Sequence, residues 1–76
     1  MRELVLWLAR ELVEKKDAVS VEVIERDRST VFELTVAPDD LGRVIGRGGR
    51  TAKAMRTVLD AAARKVGRRA VLDIVD

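Results

Sequence analysis

The sequence predicts an α+β domain with the element order α-β-β-α-α-β, in which three helices cover one face of a three-stranded mixed sheet. Apolar residues recur with a helical period over 1–16 and again from Arg50 onward. Between these segments, residues 18–25 and 30–36 alternate apolar and polar side chains, as half-buried strands do. A final apolar run at 71–75 predicts the third strand.

The first helical segment presents a broad apolar arc to a core, and Trp7 falls outside that arc. The arc consists of Met1, Leu4, Val5, Leu8, Ala9, Leu12 and Val13. Trp7 projects among charged side chains instead. It is either an anchor for a partner or a dimer, since tryptophan is enriched at interface hot spots, or a ring that lies flat on its own helix or a neighbouring loop.

The middle of the chain predicts a hairpin and then a short helix. A polar turn at 26–29 makes the first two strands antiparallel neighbours. Pro38 ends the second strand, and Asp39 or Asp40 is expected to cap the helix that follows. That helix spans about two turns. Its buried side consists of Leu41, Val44 and Ile45.

The last helical segment leads into the third strand. One face of this helix is lined by Ala52, Met55, Leu59, Ala62 and Val66. Gly67 is a natural C-terminal stop. Because a strand, two helices and a strand form a crossover connection, we expect the second and third strands to be parallel neighbours.

Length and composition indicate one domain over 1–76, with a helix and hairpin at 1–37 and a helix-loop-helix-strand core at 38–76.

Histidine and cysteine are both absent, so the usual general base and the strongest nucleophile are missing. We therefore expect no enzymatic activity, metal or cofactor. No apolar run is long enough to span a bilayer, which favours a cytoplasmic protein without membrane contact.

Charge and glycine are concentrated in one part of the chain. Residues 42–69 carry a net charge of +8, whereas the remainder carries −6. This asymmetry indicates either a polyanion-binding face on an acidic body or a solvated basic helix. Four of the five glycines and three arginines lie within 41–51. Glycine allows close backbone approach and arginine suits an anion, so this stretch is the candidate binding site.

Two nucleotide-binding loops are excluded by spacing. A Walker A loop requires a Gly-Lys pair followed by Ser or Thr, and this chain has no Gly-Lys pair. The dinucleotide fingerprint requires Gly-x-Gly-x-x-Gly after a strand, but Thr51 occupies the last glycine position and a helical segment precedes the loop. The remaining interpretation is a Gly-x-x-Gly turn at 46–49, which exposes amides and a helix N-terminus to phosphate.

The residues around this turn fit a nucleic-acid backbone. Phosphate contacts are expected from Arg47 in the loop and from Arg43 and Arg50 beside it, with the charge extended along the next helix by Lys53 and Arg56. A shallow groove for bases is expected from Val44, Ile45 and Ala52. The glycines of the turn itself are Gly46, Gly48 and Gly49.

The run Val44-Ile45-Gly46-Arg47-Gly48-Gly49 resembles the signature of the KH domain, whose Gly-x-x-Gly loop clamps about four nucleotides of a single strand. The element order resembles the type II KH arrangement. The stretches 41–46, 49–59 and 60–63 further resemble the small bacterial single-KH proteins of the KhpA type, over essentially the whole chain. One departure is Gly48, where relatives often carry a bulkier polar residue such as Gln; a glycine there makes the loop more flexible.

The resemblance implies a cytoplasmic protein that binds single-stranded RNA and acts as an RNA chaperone or post-transcriptional regulator. It also implies a link to the control of cell growth and shape. The implied protein partner is a second copy in a homodimer, or a larger KH-containing protein in a heterodimer.

Aromatic side chains limit the ways in which this chain could bind nucleic acid. Trp7 and Phe32 are the only rings, which excludes a base-stacking surface of the RRM or OB type. A competing hypothesis is a protein-interaction or dimerisation module with the same fold, in which nucleic-acid binding is secondary. Trp7 and the apolar arc of the first helix favour that hypothesis.

Overall fold

The computed structural model describes residues 1–75 and contains the predicted elements in the predicted order. They are α1 (Arg2–Leu12), β1 (Ser20–Glu25), β2 (Ser29–Thr35), α2 (Leu41–Ile45), α3 (Arg50–Arg64) and β3 (Arg69–Val75). Short 3₁₀ turns occupy Lys16–Ala18, Pro38–Asp40 and Arg47–Gly49. The first helix is shorter than expected, because the chain becomes extended at Val13. No helix within 1–75 is long and apolar enough to cross a membrane.

The three strands form a mixed sheet in the order β1-β2-β3. β1 pairs antiparallel with β2, where Val21 lies opposite Leu34. β2 pairs parallel with β3, where Phe32 lies opposite Leu72. The predicted parallel crossover and the predicted α+β class are therefore confirmed.

The core lies between one face of the sheet and the three helices. Phe32 and Leu34 of β2 are almost completely buried, and they belong to the same apolar cluster as Val5 of α1, Val44 of α2 and Leu59 of α3. Each helix thus contributes its apolar face to a single core, as the helical period predicted. The cluster fixes where α2 and α3 sit above the sheet.

The opposite face of the sheet is not covered by any helix of residues 1–75. The strand register places three acidic side chains side by side across it, Glu22, Glu33 and Asp73. The neighbouring row is apolar and consists of Ile24, Val31 and Val71. Like charges that lie directly opposite each other destabilise a sheet, so the acidic row lowers the stability of the fold.

The C-terminus of α3 is closed by Gly67, as predicted. Gly67 has a φ of +70°, and the amides of Arg68 and Gly67 donate to the carbonyls of Ala63 and Arg64 at 2.9 and 3.1 Å. The prediction that Val66 lies on the buried face is wrong, since its side chain is 66% exposed. The helix has ended before it, and Ala63 fills the last buried position instead.

Arg68 connects the end of α3 to the β1–β2 hairpin through side-chain hydrogen bonds. Its Nε donates to Thr30 Oγ1 at 3.0 Å, and its Nη2 donates to the carbonyls of Arg26 and Ser29 at 2.8 Å. The same nitrogen forms an ion pair with Glu25 Oε1 at 3.0 Å. This arginine is therefore part of the scaffold.

Asp40 is a buried carboxylate between α1 and α2, with only 2% of its surface exposed. It accepts hydrogen bonds from the amides of Glu14 at 3.2 Å and Lys15 at 3.0 Å, and it pairs with Arg43 Nε at 3.2 Å. The prediction that Asp39 or Asp40 caps α2 is wrong, because no side chain caps that helix and the carboxylate serves the amides that follow α1.

These contacts set the charge state of Asp40. The Lys15 amide holds the pKa of this carboxyl below its usual value, helped by the Glu14 amide and the Arg43 guanidinium, while burial acts in the opposite direction. The ionised carboxylate is thus the form that the fold favours.

We predict that Asp40→Asn destabilises the protein at neutral pH and much less in acid. Because the folded pKa lies below the unfolded one, the carboxylate contributes stability that is complete above the unfolded value of about 3.9 and is lost as the pH falls through the folded pKa. Urea unfolding at several pH values measures this difference in free energy.

Asp39→Asn is the matched control for this experiment. Asp39 lies next to Asp40, and within residues 1–75 its carboxylate pairs only with the exposed Lys15 ammonium, at 3.0 Å. An exposed pair of this kind contributes little, so the control should unfold like the wild type. A destabilisation by Asp40→Asn that does not change with pH would contradict the assigned role of its charge.

Candidate nucleic-acid interface

The loop between α2 and α3 is a single 3₁₀ turn entered and left through glycines with positive φ. Gly46 has φ 78° and ψ 168°, a region that is essentially restricted to glycine. Gly48 and Gly49 have φ values of 64° and 75°, in the left-handed helical region. The Gly49 amide donates to the Gly46 carbonyl at 3.0 Å and closes the turn.

Gly46 also lies in close contact with the first turn of α3. A Cβ atom at this position would lie 2.2 Å from Thr51 Oγ1 and 2.8 Å from the Thr51 backbone nitrogen, which is a steric overlap. By contrast, a Cβ atom at Gly48 or Gly49 would have no neighbour within 4 Å. The loop is therefore packed on its inner side and open on its outer side.

The N-terminus of α3 is open to an anion. Its N-cap is Gly49, and no side chain caps it. Beside it, the exposed side chains of Arg47, Arg50 and Lys53 form no ion pair with any residue from 1 to 75. These three cations and the positive end of the helix dipole together favour a negatively charged group.

Two of the arginines expected to meet phosphate have other partners. The Arg43 guanidinium pairs with Glu14 and Asp40. Arg56 Nη2 donates to the carbonyl of Leu72 on β3 at 3.1 Å. Arg56 keeps its charge but is held against β3, whereas Arg43 is neutralised by its two carboxylate partners.

The aliphatic residues expected to line a groove for bases differ in exposure. Val44 and Ala52 are buried in the core, whereas Ile45 is 38% exposed. Ile45 is thus the member of this set that a ligand can reach. The other two belong to the core that supports the loop.

α3 has a second, apolar flank that faces α1 across an open groove of about 370 Å³. Trp7 is 60% exposed and lies in this groove. The groove is lined by Trp7, Leu8, Glu11 and Leu12 from α1 and by Thr51, Ala54, Met55 and Val58 from α3. The sequence did not lead us to predict the α3 residues of this groove, although they are spaced three and four residues apart, as on one face of a helix.

We predict that Gly46→Ala destabilises the protein by about 1–3 kcal/mol or more, because the new methyl group adds overlap with Thr51 to a backbone strain of that size. Gly48→Ala is the matched control and should cost only about 1 kcal/mol, since it adds left-handed strain in open space. Urea unfolding measures both values. Equal losses would contradict the proposed packing of Gly46 against Thr51.

Comparison with known proteins identifies relatives across the whole chain. A family model described as "KhpA/KhpB, KH domain" matches residues 2–74. The RNA-binding protein KhpA of Aquifex aeolicus is 47% identical, with 100% of this chain and 96% of the relative covered. The RNA-binding protein KhpA of Halalkalibacterium halodurans is 50% identical, with 100% of both chains covered. That of Borreliella burgdorferi is 47% identical, with coverage of 97% and 90%.

A solved structure has the same fold. A crystal structure of Era from Aquifex aeolicus, bound to GDP and aluminium fluoride, matches with a TM-score of 0.69 at 18% identity. The match covers 96% of this chain and only 28% of the Era chain, so it shows the fold alone. The family model, in contrast, spans residues 2–74, and the three relatives are 47–50% identical over 97–100% of this chain. The chain therefore belongs to the KhpA/KhpB family of KH domains.

Proposed function

We propose that this chain binds single-stranded RNA and holds the RNA backbone at the 46–49 loop. The observation that carries this proposal is the uncapped N-terminus of α3, which is entered through positive-φ glycines and bordered by three free cations. The names of the relatives as RNA-binding proteins support the choice of RNA as the polyanion.

The binding mechanism follows from the open side of the loop. Because nothing lies within 4 Å of a Cβ position at Gly48 or Gly49, a phosphate can approach the main chain there without meeting a side chain. Arg47, Arg50 and Lys53 then neutralise the strand. Ile45 offers an aliphatic surface to a base. Such contacts recognise a backbone far better than a sequence, so binding by one copy is weak and broadly tolerant of sequence.

The proposed biological role is that of an RNA chaperone or post-transcriptional regulator in the cytoplasm, without enzymatic activity. The groups beside the loop are guanidinium, ammonium and amide groups, which bind a phosphate but supply neither a general base nor a nucleophile. A module that holds strands weakly and without strict sequence preference suits this role.

We predict that Arg47→Asp combined with Gly48→Asp abolishes binding to single-stranded RNA while the fold is retained. Both positions are exposed, and aspartate tolerates the left-handed conformation of residue 48 better than most residues do. Fluorescence anisotropy with a labelled oligouridylate measures the affinity. For three phosphate contacts, the logarithm of the wild-type affinity should fall with the logarithm of salt concentration with a slope of about −2.

A control variant separates the loop from a general effect of charge. Arg10→Glu with Ser20→Glu changes the net charge by the same amount as the loop variant, at exposed positions outside the loop. It should retain most of the affinity. Equal losses in both variants, or undiminished binding by the loop variant, would refute the loop clamp.

A second candidate function is association of two copies through the groove between α1 and α3. The exposed Trp7 ring and the exposed Val58 give this groove a larger apolar surface than isolated exposed residues would. In a two-fold pair, the Trp7 ring of each copy fills the groove of the other, so each interaction occurs twice. A larger KH-containing protein is the alternative occupant.

We predict that Trp7→Ala weakens self-association by about a thousandfold, because the substitution removes both symmetry-related rings and each is a hot spot of about 2 kcal/mol. Sedimentation velocity over a concentration series measures the dissociation constant. Val66→Ala is the matched control, because Val66 is equally exposed but lies outside the groove. An unchanged dissociation constant in Trp7→Ala would remove this ring from the interface.

A further inference from the structure

We propose that an RNA strand held at the loop continues along the β3-facing flank of α3 and is held a second time by Arg64 and Arg69. This inference rests on the RNA-binding function proposed above and adds a second phosphate contact at the opposite end of the helix. It predicts a footprint longer than the loop alone can bind.

The second contact is a cavity of about 300 Å³ where α3 ends and β3 begins. Arg64, Arg68 and Arg69 line it together with a single carboxylate, Asp60. Arg68 is fixed by its bonds to the hairpin, but the exposed Arg64 and Arg69 form no ion pair within residues 1–75. Two guanidinium groups without an ion-pair partner in this part of the chain therefore border a concave site that is large enough to admit a phosphate.

The fold gathers further basic residues at this end. The Arg69 amide donates to the carbonyl of Arg28 at 3.2 Å, so the hairpin turn lies directly beside the start of β3. The local basic side chains are Arg26, Arg28, Arg64, Lys65, Arg68 and Arg69, and the local acidic ones are Glu25, Asp27 and Asp60. The positive charge of this end thus comes from two distant stretches of sequence.

A path of suitable charge joins the loop to this cavity. Lys53, Arg56 and Arg64 lie on one flank of α3, and the bond from Arg56 to the Leu72 carbonyl identifies this flank as the one beside β3. Asp60 interrupts the row. Its carboxylate repels phosphate, so the strand is held at two separate points rather than continuously.

The distance between the two points determines the length of RNA required. Arg50 and Arg64 are fourteen residues apart on one helix, which corresponds to about 21 Å at 1.5 Å per residue. A Gly-x-x-Gly loop occupies about four nucleotides. A strand of about four nucleotides therefore fills the loop site and cannot reach the second contact. A strand of roughly ten nucleotides can reach it, and this length lies within the site sizes known for single-strand-binding modules.

We predict that the affinity gained by lengthening the RNA depends on Arg64 and Arg69. Fluorescence anisotropy compares labelled oligouridylates of about four and about ten nucleotides. After division by the number of overlapping four-nucleotide registers on the longer strand, wild-type protein should still bind it about tenfold more tightly, because the second contact forms within an already bound complex. Arg64→Gln with Arg69→Gln should remove this gain and leave the affinity for the short strand unchanged.

Two further variants make the test specific. Asp60→Asn should raise the affinity for the longer strand only, since it removes the repulsive charge from the path. Arg10→Glu changes the net charge by the same amount as the double arginine variant, outside this path, and should keep the length-dependent gain. Circular dichroism confirms that each variant is folded.

The outcomes distinguish this inference from the proposed function. If the loop variant abolishes binding but the length-dependent gain survives in Arg64→Gln with Arg69→Gln, the second contact is refuted and the loop clamp stands. If the loop variant binds both strands normally, the loop clamp is refuted, and the second contact is refuted with it. An equal loss for both lengths in the double arginine variant also refutes the second contact.

Discussion

Asp40 connects parts of the chain that are far apart in sequence, and the position of the binding loop depends on it. Its oxygens accept the amides that follow α1 and pair with Arg43 on α2. A buried carboxylate without such partners is very unfavourable. Because the partners of Asp40 come from the end of α1 and from α2, satisfying its charge holds these two helices together. α2 is only five residues long and does not form stably by itself. The contact therefore fixes the short helix that presents the glycine loop, and it withdraws Arg43 from the surface charge available to a ligand.

The local patterns of the sequence determined most of the architecture. Helical and strand periods depend on neighbouring residues alone, so the six elements, the hairpin and the parallel crossover could be predicted in order. The glycine turn was equally visible, because positive φ angles at Gly46, Gly48 and Gly49 are a property of the turn itself. These features required no knowledge of distant contacts.

The features that sequence did not reveal all depend on tertiary contacts. An aspartate before a helix has the pattern of a cap, and only the folded chain shows that Asp40 reaches amides twenty-five and twenty-six residues away. Val44 and Ile45 were both predicted on the buried side of a helix, and only the folded chain shows that Val44 is buried whereas Ile45 is exposed. Arg28 lies in the acidic half of the sequence, yet the hairpin turn brings it beside Arg69. Helical periodicity likewise could not indicate that α1 leaves one flank of α3 uncovered.

α3 separates two kinds of surface. Its flank beside β3 carries the basic residues that we assign to RNA, and its flank beside α1 carries the apolar groove. The two surfaces lie on different flanks of one helix, and the groove begins at Thr51, next to the glycine loop. If both candidate functions hold, pairing of two copies would raise the strength of binding without any new contact to a base.

The acidic row on the bare face of the sheet has a consequence for how many strands one molecule can hold. Glu22, Glu33 and Asp73 lower the stability of the sheet, and their charges disfavour a polyanion over the middle of the face that no helix covers; Arg69, at the end of the same face, lies instead beside Arg64. Under the proposed function, one copy then offers a single RNA-binding surface, along α3. Two different RNA molecules can then be brought together only by an assembly of copies, so the number of strands joined would be set by the oligomeric state and not by the KH fold itself.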